Sequence, residues 1–215
     1  MGITAMSTCY IIGAAPLTDL SHVVVDEKVD NVVICADGGI DAAKKLGITP
    51  DFLIGDFDSA LSKSTDTNTH TLRFSHEKDD TDMMLCIKHG LQKGYTNFVI
   101  YGALGGRLDH TIANIQSLSY IAENGGNAML KDDNTTVFLV SDSITLKNEN
   151  QEKVSIFSSS ECCEGVTLKG FKYPLDNVVV KNSFPIGISN EFADDFATIS
   201  VKNGQLLVII MNHAE

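Results

Sequence analysis

Four acidic or glycine-rich motifs carry residue types suited to phosphate chemistry. Cys35-Ala36-Asp37-Gly38-Gly39 closes a β-branched run, so Asp37 falls at a strand end, beside glycines that let the backbone turn sharply or approach a ligand. Ile54-Gly55-Asp56-Phe57-Asp58-Ser59 sets two carboxylates one residue apart, and an extended segment projects both to the same side. Two hard oxygen donors converging in this way suit Mg²⁺, which takes one or two carboxylates and completes its shell with water and phosphate oxygens. Lys78-Asp79-Asp80-Thr81-Asp82 packs three more carboxylates into the start of a helical stretch, where a bound cation would relieve their repulsion. The competing reading is N-capping, with Asp79 or Asp80 accepting hydrogen bonds from the free N–H groups of the first turn. In the fourth motif, Gly102-Ala103-Leu104-Gly105-Gly106-Arg107-Leu108-Asp109-His110, Gly105 and Gly106 allow backbone N–H groups to meet phosphate oxygens, and Arg107 offers a two-pronged donor. Asp109 caps the following helix or orients Arg107, while His110, with no nucleophile beside it, reads as an exposed or core histidine.

Several carboxylates and one arginine at the ends of strands describe a Mg²⁺-dependent site for a nucleotide polyphosphate. Neither GxxxxGK[ST] nor GxGxxG occurs, so P-loop and dinucleotide-binding readings lose support. Chemistry alone leaves a kinase, a pyrophosphokinase, a nucleotidyl transferase and a phosphohydrolase open, with a non-enzymatic nucleotide sensor as a rival of another class.

The rest of the composition narrows the field. With 16 Lys+Arg against 28 Asp+Glu, the 215-residue chain has a net charge of −12, which excludes a broad electrostatic grip on nucleic acid or an anionic membrane surface. Its residues are 43% hydrophobic and 20% charged, the profile of a globular protein rather than a disordered one. The longest apolar runs, such as Leu206 to Met211, are far shorter than a bilayer span, and the N-terminus lacks a signal-peptide layout, so a soluble, cytoplasmic protein is expected. Five cysteines without CxxC spacing fit reduced, partly buried thiols better than a disulfide framework or a zinc site.

Those motifs need elements to hold them. Up to about Leu130, short β-branched runs alternate with helical stretches, the pattern of parallel strands joined by crossover helices. Strands are predicted over Cys9 to Gly13, Asn31 to Ala36, Phe52 to Ile54 and Asn97 to Gly102. Helices are predicted over Ile40 to Leu46, closed by Gly47, over Asp82 to Gln92, with Met84, Ile87, Lys88 and Leu91 at helical spacing, and over Leu108 to Glu123. In the last of these, Leu108, Ile112, Ile115 and Ala122 recur as one apolar face. Beyond Leu130 the texture changes to short alternating runs, Thr136 to Val140, Ser143 to Lys147, Lys153 to Phe157, Val166 to Leu168, Asn177 to Val180, Thr198 to Lys202 and Gln205 to Ile210, which read as an antiparallel β domain. The last two flank Asn203-Gly204, the dipeptide favoured in a two-residue hairpin turn. The fold class expected is therefore α/β, divided into residues 1–131, carrying the nucleotide and metal site, and an all-β domain over residues 132–215.

In order and wording, CADGGID, PDFLIGDFDS, DDTDMMLCI and GALGGRLDHTIANI resemble the thiamine pyrophosphokinase family. Gly170-Phe171-Lys172-Tyr173-Pro174-Leu175 and Gly187-Ile188-Ser189-Asn190-Glu191 look like the two C-terminal motifs of its bacterial members, so the resemblance spans essentially the whole chain. It implies a Rossmann-like N-terminal domain with a mostly parallel sheet, a C-terminal β-sandwich-like domain for thiamine binding and dimerisation, and a homodimer with thiamine near the subunit interface. The implied reaction converts ATP and thiamine into AMP and thiamine diphosphate. Carried over by motif, Asp56 and Asp58 become the principal Mg²⁺ carboxylates, Asp82 completes the acidic centre near the thiamine hydroxyl, and Asp37 lies beside them. Gly105, Gly106, Arg107 and Asp109 belong to the ATP side, while Thr81, Tyr173, Ser189 and Asn190 join Asp82 in placing thiamine. The chain has no Trp, so an aromatic platform for thiamine must come from Tyr173, Phe171 or Phe192. Gly13-Ala14-Ala15-Pro16, after the first strand, reads as a generic turn without assigned ATP contacts.

Overall fold

The structure, a computed structural model, describes residues 7–26, 28, 30–55, 69–73 and 80–212. It divides into two compact units, Met1–Asp133 and Asn134–Glu215.

In the first unit the described elements run β1 (Thr8–Ile12), β2 (Val32–Ala36), α1 (Gly39–Leu46), β3 (Phe52–Gly55), β4 (His70–Arg73), α2 (Asp82–Gln92), β5 (Asn97–Tyr101), α3 (Leu108–Glu123) and β6 (Asn127–Lys131). The strands pair in parallel, in the order β6-β5-β1-β2-β3-β4. The central strands are near-continuous apolar runs because helices bury both faces of a parallel sheet, and all five residues of β2 are buried. On one face Tyr10, Ile12, Val33, Cys35 and Leu53 pack with Ile40 and Ala43 of α1. Helix α2 lies against β1, β2 and β3. Its Gly90 permits the close fit, since a Cβ there would sit 2.7 Å from the Phe98 ring and 2.9 Å from the Cys9 sulfur.

Helix ends follow local chemistry. Gly47 closes α1 in the left-handed conformation at φ 70°, its N–H donating to Ala43 and Lys44 carbonyls. Thr81 caps α2, its hydroxyl oxygen accepting from the Met84 N–H at 3.1 Å. The apolar face predicted for α3 is corrected: Leu108 and Ile112 are 73% and 50% exposed. The buried residues are Ser117, Leu118 and Ile121, because only the second half of the helix is covered where α3 packs on β6 and α2.

The second unit contains β7 (Thr135–Val140), β8 (Ser143–Lys147), β9 (Lys153–Ser158), β10 (Cys162–Lys169), β11 (Leu175–Lys181), β12 (Asn190–Glu191), β13 (Phe196–Ser200) and β14 (Leu206–Met211). They form two antiparallel arrays, β12-β9-β14-β7 and β11-β10-β13-β8. Alternating residues of both arrays, among them Val154, Ile156, Val208, Val166, Leu168 and Ile199, contribute to one buried core. Strand β10 is longer than Val166 to Leu168 because it continues through an irregularity at Gly165, whose φ is 67°.

The hairpin expected at Asn203-Gly204 is not formed. Strand β13 pairs with β10 and β8, whereas β14 pairs with β7 and β9, so the chain changes sheets there. The N–H groups of Lys202 and Asn203 both donate to the Glu164 carbonyl, at 3.0 and 3.2 Å, and Glu164 N–H donates to Asn203 O at 2.9 Å. Bonds to the irregular part of β10 thus replace the hairpin's own closing bonds.

Candidate active site

The first unit's strand order reverses between β1 and β5: the chain steps outward from β1 through β2 and β3 to β4, then returns to β5 on the other side of β1. Where order reverses, the loops leaving neighbouring strands diverge, and a crevice opens at the carboxyl edge. A cleft of about 550 Å³ occupies this place. Gly13 to Pro16, following β1, and Gly102, Ala103 and Gly105 to Arg107, following β5, form much of its lining. Asp37, Thr81, Asp82, Asp109, His110 and Asn114 form its polar side.

The two loops touch through their backbones. Gly13 N–H donates to the Tyr101 carbonyl at 2.8 Å, and Ala15 N–H donates to the Gly102 carbonyl at 3.0 Å. A Cβ on Gly13 would lie 2.4 Å from the Gly102 oxygen, so only glycine allows this approach. Side chains of α3 tie down the second loop: Asn114 Nδ2 donates to Ala103 O at 2.7 Å, and the Thr111 hydroxyl reaches the Gly105 carbonyl at 3.2 Å. Gly105 and Gly106 hold positive φ values of 79° and 65°.

Asp37 sits at the end of β2 with φ 39°, a left-handed conformation that Asp tolerates better than most residues. Its N–H donates to the Ile54 carbonyl at 2.9 Å. The glycines around it have packing reasons: a Cβ on Gly39 would fall 2.0 Å from the Ile12 oxygen, and one on Gly55 would lie 3.2 Å from Asp37 itself.

The acidic run before α2 divides by role. Both carboxylate oxygens of Asp80 accept at 2.7 Å from Nζ of Lys88, which lies on α2 eight residues along the chain. Thr81 provides the cap, and Asp82, the first residue of the helix, lines the cleft. Asp79, Asp56 and Asp58 lie outside the described residues. Arg107 grips Asp109 with two bonds, Nε to Oδ1 at 3.1 Å and Nη2 to Oδ2 at 2.6 Å. These hydrogen bonds hold the Asp109 carboxyl below its ordinary value and raise the guanidinium. Both side chains are solvent-exposed, so the pair adds little stability; it fixes the direction of the guanidinium fork, which matches two phosphate oxygens as well as it matches a carboxylate.

The remaining sequence-derived positions belong to the second unit. Tyr173 is 59% exposed. Phe171, by contrast, is 4% exposed, and its ring packs 5.4 Å from that of the partly buried Phe192, leaving Tyr173 as the most exposed ring of the three. Ser189 has φ 53° and donates its N–H to Ser155 Oγ at 2.9 Å. Asn190 is buried, and its amide bonds to the main chain of Tyr173.

The sequence reading missed the Gly13 to Pro16 loop as cleft lining, and it placed His110 outside the site. A glycine directly after an apolar first strand was the available signal for the loop; nothing in the sequence marked His110. Among the described residues no group of three or more His, Cys, Asp and Glu side chains forms a metal site.

Comparison with known proteins agrees with these features. Residues 27–130 match the family model for the thiamin pyrophosphokinase catalytic domain, and residues 143–206 match that for the thiamin pyrophosphokinase vitamin B1 binding domain. A thiamine pyrophosphokinase of Bacillus subtilis is 30% identical over 210 residues, covering 95% of this chain and 98% of the relative. The crystal structure of thiamine pyrophosphokinase from Bacillus subtilis superposes with a TM-score of 0.83 at 27% identity, covering 96% of this chain and all (100%) of that one. That of the Geobacillus thermodenitrificans thiamin pyrophosphokinase gives 0.84 at 25% identity, covering 97% and 99%. With a cleft at the strand reversal, phosphate-suited loops around it and matches across both units, the chain belongs to the thiamine pyrophosphokinase family of diphosphotransferases.

Proposed function

We propose that this protein transfers the diphosphoryl group of ATP to the hydroxyl of thiamine, giving AMP and thiamine diphosphate. The observation that carries the reading is one cleft joining Asp37 and Asp82 to the Gly105-Gly106-Arg107 loop, at the position where an open parallel sheet receives ligands. Arg107 is assigned to the polyphosphate, exchanging its Asp109 partner for phosphate oxygens, and Asp109 to aiming the guanidinium before ATP arrives. Gly105 and Gly106 keep the loop bare enough for backbone donors to approach phosphate.

The donor set suits Mg²⁺: carboxylates, with Asp37 and Asp82 at the described cleft beside the Arg107-paired Asp109, and Asp56 and Asp58 following β3 in sequence. Asp56, Asp58 and Asp82 are proposed as its ligands. When bound, Mg²⁺ supplies charge neutralisation at the phosphoryl oxygens. The protein's own part is positioning. Asp82 accepts a hydrogen bond from the thiamine hydroxyl and takes its proton as the oxygen bonds to the β-phosphorus. The bond from the β-phosphorus to the bridging oxygen breaks in line, and that oxygen leaves on AMP. Thr81, while capping α2 through its oxygen, retains a hydroxyl proton to donate to substrate. Tyr173 and Ser189 are assigned to thiamine.

The proposal extends to a Rossmann-like catalytic domain over residues 1–131, a sandwich-like thiamine and dimerisation domain over residues 132–215, and a cytoplasmic homodimer. No described helix is long and apolar enough to cross a membrane. Light scattering tests the dimer, and a monomer that stays fully active at nanomolar dilution refutes it. With γ-³²P-labelled ATP, label is expected in thiamine diphosphate alongside unlabelled AMP. Accumulation of ADP and thiamine monophosphate, or thiamine-independent release of labelled phosphate, overturns the assignment.

A further inference from the structure

The two C-terminal motifs lie almost twenty residues apart, yet they form one device. Residues 171–173 run antiparallel to residues 190–192, each facing one partner. Phe171 and Phe192 form a β-bridge, their rings packed at a tilt of 39° with centroids 5.4 Å apart. Lys172 N–H donates to the Glu191 carbonyl at 2.8 Å, and Lys172 Nζ pairs with Glu191 Oε2 at 3.0 Å. Tyr173 faces Asn190: its N–H donates to Asn190 Oδ1 at 3.0 Å, and its carbonyl accepts from Asn190 Nδ2 at 2.8 Å. Asn190 Oδ1 also accepts from the Glu191 N–H at 3.0 Å.

This leaves the Asn190 amide committed to the protein main chain. Its oxygen holds two donors, one amide hydrogen is used, and the residue is 2% exposed. The orientation of the amide is set as well, since Tyr173 offers a donor and an acceptor that only one flip satisfies. Behind it the frame continues: the buried Ser155 hydroxyl on β9 accepts from Ser189 N–H, and Asn190 pairs with Val154 of the same strand. All these bonds converge on a residue whose ring stands in solvent. A buried amide spent on holding the backbone of an exposed aromatic contributes little to a core but sets where that ring points.

We propose that Asn190 is the positioning residue for thiamine recognition, clamping both main-chain groups of Tyr173 so that the exposed phenol ring presents a fixed face to the planar, cationic vitamin. The proposal rests on thiamine being the substrate of this chain. An aromatic face attracts such a cation, and Lys172 Nζ, 5.6 Å from the ring centroid, already makes that kind of contact within the protein. A ring free to swing would lose part of the attraction to ordering cost.

A double-mutant cycle tests this. Tyr173→Ala removes the platform. Asn190→Asp keeps the size and the acceptors but sets a carboxylate oxygen against the Tyr173 carbonyl. Each is expected to raise the KM for thiamine by about tenfold, leaving the KM for ATP unchanged, and the double variant should be no worse than Tyr173→Ala, because Asn190 acts only through the ring. Asn190→Ser, which keeps one acceptor and drops the donor, supplies the same cycle if Asn190→Asp folds poorly. Multiplying KM effects in the double variant would show that Asn190 meets substrate directly and overturn the proposal, as would equal loss for ATP and thiamine. Wild-type protein that forms no thiamine diphosphate would refute the proposed function itself, a result separable from either outcome of the cycle.

Discussion

Replacing Gly13 by alanine tests whether the meeting of two loops builds the cleft. An added Cβ would stand 2.4 Å from the Gly102 carbonyl oxygen and 2.7 Å from the Met83 methyl carbon, against the roughly 3.5 Å at which nonbonded heavy atoms rest. The methyl can rotate away, but the carbonyl is backbone, held by the Ala15 N–H at 3.0 Å. One of the loops must therefore move, at a cost of about 2 kcal/mol by analogy with overpacked cores. For a chain of this size that corresponds to a fall in Tm of roughly 4–8 °C. Moving the Gly13 to Pro16 loop should also raise the KM for ATP without changing that for thiamine. Gly125→Ala is the control, with φ 78° and no atom within 4 Å of the added Cβ; it isolates the left-handed backbone penalty of about 1 kcal/mol. Gly102→Ala combines both effects, φ 61° and a Cβ 2.5 Å from the Gly13 oxygen, and should be the least stable of the three. Differential scanning fluorimetry and steady-state kinetics give both readouts. A Gly13→Ala protein melting within about one degree of wild type, with an unaltered KM for ATP, would refute the reasoning.

Asp56→Asn, Asp58→Asn and Asp82→Asn should each lower kcat by on the order of 10²–10³ while leaving Tm unchanged, since each removes charge from the reacting centre at nearly constant volume; wild-type turnover at limiting Mg²⁺ would contradict the assignment. Cys35 is buried, and burial pushes its thiol from 9.0 up to about 12; burial first, and the charge of Asp51 second, raise Cys9 as well. With folded values above unfolded ones, the stability linked to these thiols is complete below pH 9.0 and is lost as pH rises toward 12. Denaturant titrations across that range should show the decline, and an aromatic disulfide reagent at about pH 8 should label Cys9 and Cys35 only after unfolding, while the partly exposed Cys162 reacts in the folded protein; rapid labelling of Cys9 or Cys35 before unfolding, read by peptide mapping, would disprove it.

The sequence alone determined what depends on near neighbours. The bounds of α2 and α3 follow from helical spacing and from the glycines near their C-terminal ends, although Thr81 rather than Asp80 proves to cap α2, and the β-branched runs mark β1, β2, β3 and β5 within a residue or so. The inventory of chemistry, carboxylates at strand ends and an Arg after two glycines, was equally legible, because residue types and spacing carry it. Tertiary structure decided what depends on pairing across the chain. That β1 lies between β2 and β5, bringing the Gly13 and Gly102 loops together, is a choice of strand order with no local signature. The acidic run was sorted only when α2 brought Lys88 back to Asp80. Asn203-Gly204 has the residues of a hairpin, yet hydrogen bonds to Glu164 won, and β13 and β14 joined different sheets. The pairing of residues 171–173 with 190–192, which turns Asn190 toward a backbone rather than a solvent-facing ligand, likewise arises from long-range register. Local propensities differ by fractions of a kcal/mol per residue, whereas the burial and hydrogen bonding that strand order and register decide add up to far more.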